Sequence, residues 1–215
     1  MRKLLLVTRP QHDPTTHYLF YWNQKVIDFA KKKGVGIIDL QRRRANRKEF
    51  ASVVVKRSPR LILFNGHGSK DSIGGQENEI LVKAGENEDL LENKIVYALS
   101  CETAKLLGPK SVVSGTASYL GYDEVFIFYY SDDRISKPLK DERAGLFLEP
   151  SNQIAISLLK GHTTGDAHQR SQKSFLKNIQ KLLSSESAET YLVRFLVWDM
   201  RHQVCLGDTK ALLSF

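Results

Sequence analysis

Leu61-Ile62-Leu63-Phe64, followed by Asn65-Gly66-His67-Gly68-Ser69, and Ile95-Val96-Tyr97-Ala98-Leu99, followed by Ser100-Cys101-Glu102-Thr103-Ala104, decide how this chain folds. Short apolar runs bounded by glycine or by a helix start are the pattern of strands buried on both faces of a parallel sheet. In open α/β sheets, ligands gather beyond the carboxyl ends of the strands. If these two strands are neighbours, His67 and Cys101 share one rim, and a thiol beside an imidazole is the minimum equipment for nucleophilic acyl transfer.

Working outward, the first strand is expected over residues 3–8, and Asp13 before Pro14 predicts a helix cap with proline at the first helical position. Leu19, Trp22, Val26, Phe29 and Ala30 recur at helical spacing, and the helix should stop near Lys33-Gly34. A second strand spans 35–40, a short helix 46–56, and the third strand 60–64. The polar loop 70–87 holds a short strand at Ile80-Leu81-Val82, and a short helix at 88–93 leads into the fourth strand at 94–99. Thr103 to Leu107 starts a helix that Gly108-Pro109 breaks. Residues 111–114 and 125–129 read as the fifth and sixth strands, and helices are expected at about 147–160, 166–183 and 188–203. The alternation predicts a three-layer α/β sandwich with a mostly parallel sheet of about six strands and helices on both faces. Residues 1–215 contain no internal repeat and no low-complexity tract, so one domain is expected.

Composition narrows the classes. At 215 residues, 41% hydrophobic and 26% charged, the chain has the make-up of a globular domain with one sizeable core. No apolar run approaches the roughly 20 residues that span a bilayer, so no membrane partner is expected. The opening Met1-Arg2-Lys3-Leu4-Leu5-Leu6-Val7 looks like a signal peptide, but its apolar core stops at Thr8-Arg9-Pro10. Two cysteines without a CxxC pair exclude a disulfide framework and a zinc cassette, and a reducing cytoplasm is the natural compartment. The six histidines form no HxxxH or HxH pair, so neither a metal site nor a cofactor is expected.

The net charge of +8 is uneven. Residues 1–60 hold 15 Lys/Arg against 4 Asp/Glu, mostly in Lys31-Lys32-Lys33 and Arg42-Arg43-Arg44, whereas the remainder is slightly acidic. An anionic partner such as nucleic acid would suit this cluster. Without interleaved aromatics for base stacking, a solvated helix end and loop is the simpler reading.

Asn-Gly-His-Gly-Ser after one strand and Ala-Leu-Ser-Cys-Glu-Thr-Ala after the next resemble the clan CD cysteine peptidases, the group of caspases, metacaspases, separase, gingipains and CHAT domains. The Ser-Cys-Glu-Thr-Ala segment is closest to the CHAT and gingipain-like branch, and Val204-Cys205-Leu206-Gly207-Asp208 resembles the segment closing gingipain-like catalytic domains. The resemblance implies a caspase-like sheet and hydrolysis of peptide bonds through a thioester on Cys101. It makes His67 the general acid/base, places the Gly68 and Cys101 N–H groups in an oxyanion hole, and implies a regulatory protein partner.

On the residues' own terms, a strand end meeting a helix start would lower the pKa of Cys101, while Cys205 reads as a packing residue. Asn65 either orients the imidazole or serves turn chemistry. Relatives draw pocket charges from the loop after the first strand. Arg9 there would favour an acidic substrate side chain and Asp13 a basic one, with Asp13 discounted as a cap. The stretch Ser114 to Tyr122, with Ser114, Gly115 and Thr116 at its start, is expected to wall the cleft, with Asp132 reaching in; Asp199 and Asp208 anchor the C-terminal segment. Two rival readings stay open: a catalytically silent peptidase-like binding or regulatory module, and a nucleotide- or nucleic-acid-binding α/β protein using the basic N-terminal region.

Overall fold

Alternation of side chains along each strand divides the core into two. In β1 (Leu4–Arg9), β3 (Leu61–Asn65) and β6 (Ile95–Leu99), the residues Leu5, Val7, Leu61, Leu63, Ile95, Tyr97 and Leu99 face one side. Leu6, Ile62, Phe64, Val96 and Ala98 face the other. Every residue of β3 and β6 is buried, as period-2 alternation between two apolar layers requires. The computed structural model describes residues 4–184 and 187–213; the expected strand start at residue 3 lies outside them.

The first layer is made by α1 (Pro14–Lys32), α4 (Glu142–Leu159), α5 (Thr164–Ser184) and α6 (Val193–His202), which contribute Tyr18, Trp22, Phe147, Phe175 and Leu196. The opposite layer holds α2 (Arg47–Arg57), α3 (Leu107–Val113) and a hairpin of β4 (Ser72–Gly74) and β5 (Ile80–Lys83). Phe50, Val54, Ile73, Leu81, Val82 and Leu107 fill it. Each fully buried side chain of this kind is worth about 1.5–3 kcal/mol. With β2 (Gly36–Gln41), β7 (Ser118–Tyr122) and β8 (Gln203–Gly207), the sheet order is β2-β1-β3-β6-β7-β8. All pairings are parallel except β7 with β8. The three-layer α/β architecture with six mostly parallel strands is thus the observed one.

Three elements differ from the sequence expectation. Residues 111–113 belong to α3 and Ser114 caps it, because Gly108-Pro109 sits in the first turn of that helix, where a missing N–H costs nothing. The segment 125–129 lies outside the sheet, and side chains of α6 hold its backbone: Asp199 Oδ1 accepts from Ile127 N–H at 2.9 Å and Trp198 Nε1 donates to Val125 O at 2.9 Å. The sixth strand is instead β8, antiparallel to β7 in the register Tyr122↔Gln203 to Ser118↔Gly207. Ser118–Tyr122, expected as cleft wall, is itself a sheet strand.

In α4, Pro150 lacks the N–H that would reach Leu146 O, and Asn178 Nδ2 from α5 supplies a donor to that carbonyl at 2.8 Å. The same helix pair is joined by Ser171 Oγ donating to Pro150 O at 2.7 Å.

Candidate active site

β3 and β6 are adjacent and in register up to Asn65↔Leu99, so the loops that follow them leave the sheet side by side. They touch at Gly68. A Cβ there would lie 2.5 Å from Thr103 Cγ2, 2.8 Å from the Cys101 carbonyl oxygen and 2.9 Å from Ser100 Cβ, so only glycine lets the His67 loop rest on the backbone of Cys101. The hairpin holds this loop in place: Gly74 N–H donates to His67 O at 2.9 Å, Ser69 N–H donates to Ser72 O at 2.9 Å, and Gly68 bridges Ile73. Neither the Gly68 N–H nor the Cys101 N–H donates to another residue among the described residues.

His67 is 38% exposed, and its Nε2 lies 2.5 Å from Asp13 Oδ2. Asp13 is also the cap of α1. Its Oδ1 accepts the Thr16 N–H at 2.7 Å and the Thr16 hydroxyl at 2.9 Å. Burial pushes the Asp13 carboxyl up, but the Thr16 N–H and the hydrogen bond from His67 more than offset this and hold it below its usual range. Nε2–H donating to a carboxylate leaves Nδ1 as the basic nitrogen of neutral His67. His12 stands edge-on to His67 with ring centroids 5.9 Å apart, and its Nδ1 accepts the Glu77 N–H at 3.2 Å. Nothing local in the sequence joins His12 or Asp13 to His67, which lies 54 positions beyond Asp13.

Cys101 is half-buried against the larger apolar cluster, and its Sγ donates to Phe126 O at 3.9 Å. Burial pushes its thiol above the ordinary range, the reverse of the expected lowering. The physical reason is that no helix starts here. Ser100 to Leu106 form turns, α3 begins only at Leu107, and Glu102 takes a left-handed φ of +58° directly after the cysteine. Cys205 is half-buried in β8, with Ser118 Oγ 3.7 Å from its sulfur.

The expected pocket residues do not gather with these loops. Arg9 is buried and fully engaged: it ion-pairs with Asp39, donates from Nη1 to Phe20 O at 2.9 Å and Gln24 Oε1 at 3.0 Å, and lies over the Phe20 ring. Ser114, Gly115 and Thr116 precede β7, at the amino-terminal ends of the parallel strands and therefore on the opposite rim. There Asn93 N–H donates to Gly115 O at 2.8 Å and Thr116 Oγ1 to Leu91 O at 3.1 Å. Asp132 lines an open surface depression of about 1140 Å³ with Trp22, Arg143 and Glu149, which none of the His67 or Cys101 loop residues enters. Asn65 neither orients the imidazole nor closes the turn: its Nδ2 donates to Thr8 O at 3.1 Å and ties β3 to β1. Asp199 is buried from α6, with its Oδ2 unpartnered among the described residues, and burial holds its carboxyl well above the usual range. In the basic run, Arg42 donates to Gln11 Oε1 at 2.8 Å and Arg44 lies 3.5 Å from Glu49.

No protein-family model matches the sequence, and no curated protein matches it. Among solved structures, the Arg-specific cysteine proteinase gingipain R (RgpB) superposes with a TM-score of 0.66 at 10% identity, covering 97% of this chain and 46% of its own. The complex of Porphyromonas gingivalis RgpB pro- and mature domains gives a TM-score of 0.63 at 10% identity, covering 98% of this chain and 48% of its own. The chain therefore has the caspase-like fold of these structures, and it spans about half their length. No helix among the described residues is long and apolar enough to cross a membrane.

Proposed function

We propose that residues 1–215 form one peptidase domain and that the chain is a cysteine endopeptidase of the CHAT or gingipain-like branch. The Cys101 sulfur attacks the carbonyl carbon of a peptide bond while Nδ1 of His67 takes the thiol proton. The same imidazolium then gives that proton to the leaving amine, and water hydrolyses the thioester with His67 as base. Asp13 accepts Nε2–H and so fixes the productive tautomer, as the carboxylate of a catalytic triad does. The N–H groups of Gly68 and Cys101 receive the oxyanion, where one donor is typically worth about 10²–10³ in rate.

The observation that carries this reading is the contact of Gly68 with the Cys101 carbonyl, which seats the imidazole-bearing and thiol-bearing loops against each other. A peptidyl acyloxymethyl ketone should label Cys101 and fail to label Cys101→Ala or His67→Ala. A diverse peptide library then identifies the side chain before the cleaved bond. Labelling that persists in Cys101→Ala refutes the assignment.

One observation favours the silent-scaffold reading: the thiol is half-buried and donates to Phe126 O. A protein partner that withdraws the 123–131 segment would uncover it. A chain that takes no label alone or with any substrate, yet retains its fold, would support the scaffold reading instead.

A further inference from the structure

On the outer side of His67, away from the nitrogen assigned to proton transfer, three donor atoms converge. His12, Asp13 and His67 each offer one ligand atom, and these three atoms lie within 4.8 Å of one another; Asp13 Oδ2 faces Nε2 of both histidines. His12 Nε2 is buried and has no hydrogen-bond partner among the described residues. It lies 3.4 Å from Asp13 Oδ2, on a side chain only 13% exposed. A buried, unpaired ring nitrogen aimed at a carboxylate that a second imidazole already touches calls for a further ligand. We propose that these three residues form a binding site for a zinc-class divalent transition metal.

The donor chemistry selects the ion. Two imidazoles and one carboxylate suit zinc and its neighbours, whereas magnesium and calcium require oxygen-rich shells. Metal–donor bonds of about 2.0–2.2 Å in a tetrahedral shell place adjacent donors about 3.3–3.6 Å apart. The His12–Asp13 edge already has that length at 3.4 Å. The His67–Asp13 edge, at 2.5 Å, opens when the metal replaces the proton between them. With His67 38% and Asp13 30% exposed, the fourth position faces solvent and takes water.

Two of the ligands are held from outside the cluster: Asp13 is fixed by Thr16 and His67 by the hairpin through Gly74. His12 is held by the Glu77 N–H only before capture. Metal capture moves the Nε2 proton of each neutral imidazole to its Nδ1. In His12 this costs the 3.2 Å contact from Glu77, an exposed residue already at a φ of +54°. In His67 it protonates the nitrogen that serves as base in the peptidase reading, so metal occupancy switches that reaction off. This second consequence rests on the proposed function; the binding itself does not.

Zinc ion alone is titrated into the full chain carrying Cys101→Ala, in competition with a chromophoric chelator, so that neither the thiol nor turnover enters the measurement. One zinc per chain is expected. His12→Gln and His67→Gln should each weaken it about 100-fold or more, beyond the roughly 10–100-fold typical of removing an outer-shell partner. His162→Gln, remote in sequence and outside the cluster, should bind as the parent. Circular dichroism and melting verify that each variant is folded. Zinc affinity unchanged in a folded His12→Gln variant, or lost equally in His162→Gln, overturns the site. If zinc binds as expected but the wild type takes no acyloxymethyl ketone, the peptidase reading fails and the metal site stands.

Discussion

Asp13 holds His67 and the start of α1 at the same time, with Oδ2 2.5 Å from Nε2 of the histidine and Oδ1 2.7 Å from the Thr16 N–H. Because the two oxygens serve different partners, two substitutions separate the roles. Asp13→Ala removes both, and the lost cap should cost about 1 kcal/mol in urea unfolding. Asp13→Asn keeps an oxygen for the cap and should fall within a few tenths of that stability. Both should slow peptide hydrolysis, and the asparagine variant by as much as about 10⁴ in kcat if the tautomer is lost as it is in the serine-protease triad. Full activity in Asp13→Asn would remove Asp13 from the machinery.

Gly68→Ala tests the contact between the two loops. The new methyl would meet Thr103 Cγ2 at 2.5 Å and the Cys101 carbonyl oxygen at 2.8 Å. The threonine methyl can rotate away, but the carbonyl belongs to the backbone of the nucleophile. Forced overpacking of this kind costs about 1–3 kcal/mol, and the loops should separate. Labelling of Cys101 should fall by about 10² or more, as for loss of an oxyanion donor, and Thr103→Ser should restore only part of it.

Burial raises the Cys101 thiol, and only the thiolate is nucleophilic. Alkylation of Cys101 by iodoacetamide should therefore keep increasing with pH past the point at which a free cysteine levels off. A thiol activated by a helix start would level off earlier than free cysteine. Mass-spectrometric rates at Cys101, with Cys205→Ser as background, distinguish the two profiles.

The parts of the molecule legible in the sequence are those set by local pattern. The runs Leu61–Phe64 and Ile95–Leu99 are apolar because both faces of the sheet are covered, and their adjacency places His67 and Cys101 on one rim. What stayed hidden depends on contacts between remote segments. Gln203–Gly207 follows α6 directly and is only partly buried, so it carries no strong strand pattern, and its place beside β7 comes from packing. Val125–Tyr129 has the composition of a strand, yet Phe126 and Phe128 join Tyr18, Tyr122 and Tyr130 in an aromatic ladder, and side chains bind its backbone. Arg9 has the sequence position of a pocket charge, but Asp39 from the neighbouring strand, with Phe20 and Gln24 of α1, engages it. The His12–Asp13–His67 group shows why a search for closely spaced histidines fails: its members meet only when β1 and β3 are paired.

Asp199 gives the sharpest pH signature of stability. Its carboxyl is buried, Oδ1 accepts the Ile127 N–H, Oδ2 has no partner among the described residues, and burial raises its pKa well above the unfolded value. Between the unfolded and folded values the native state binds the extra proton, so stability falls as pH rises through that window. Asp199→Asn keeps an oxygen for Ile127 and cannot ionise. Its melting temperature relative to wild type should therefore climb steadily as the pH is raised from about 4, the unfolded carboxyl range, toward neutrality and above. A constant difference across that series would mean that Asp199 is ionised in the folded chain and that an unseen donor satisfies its second oxygen.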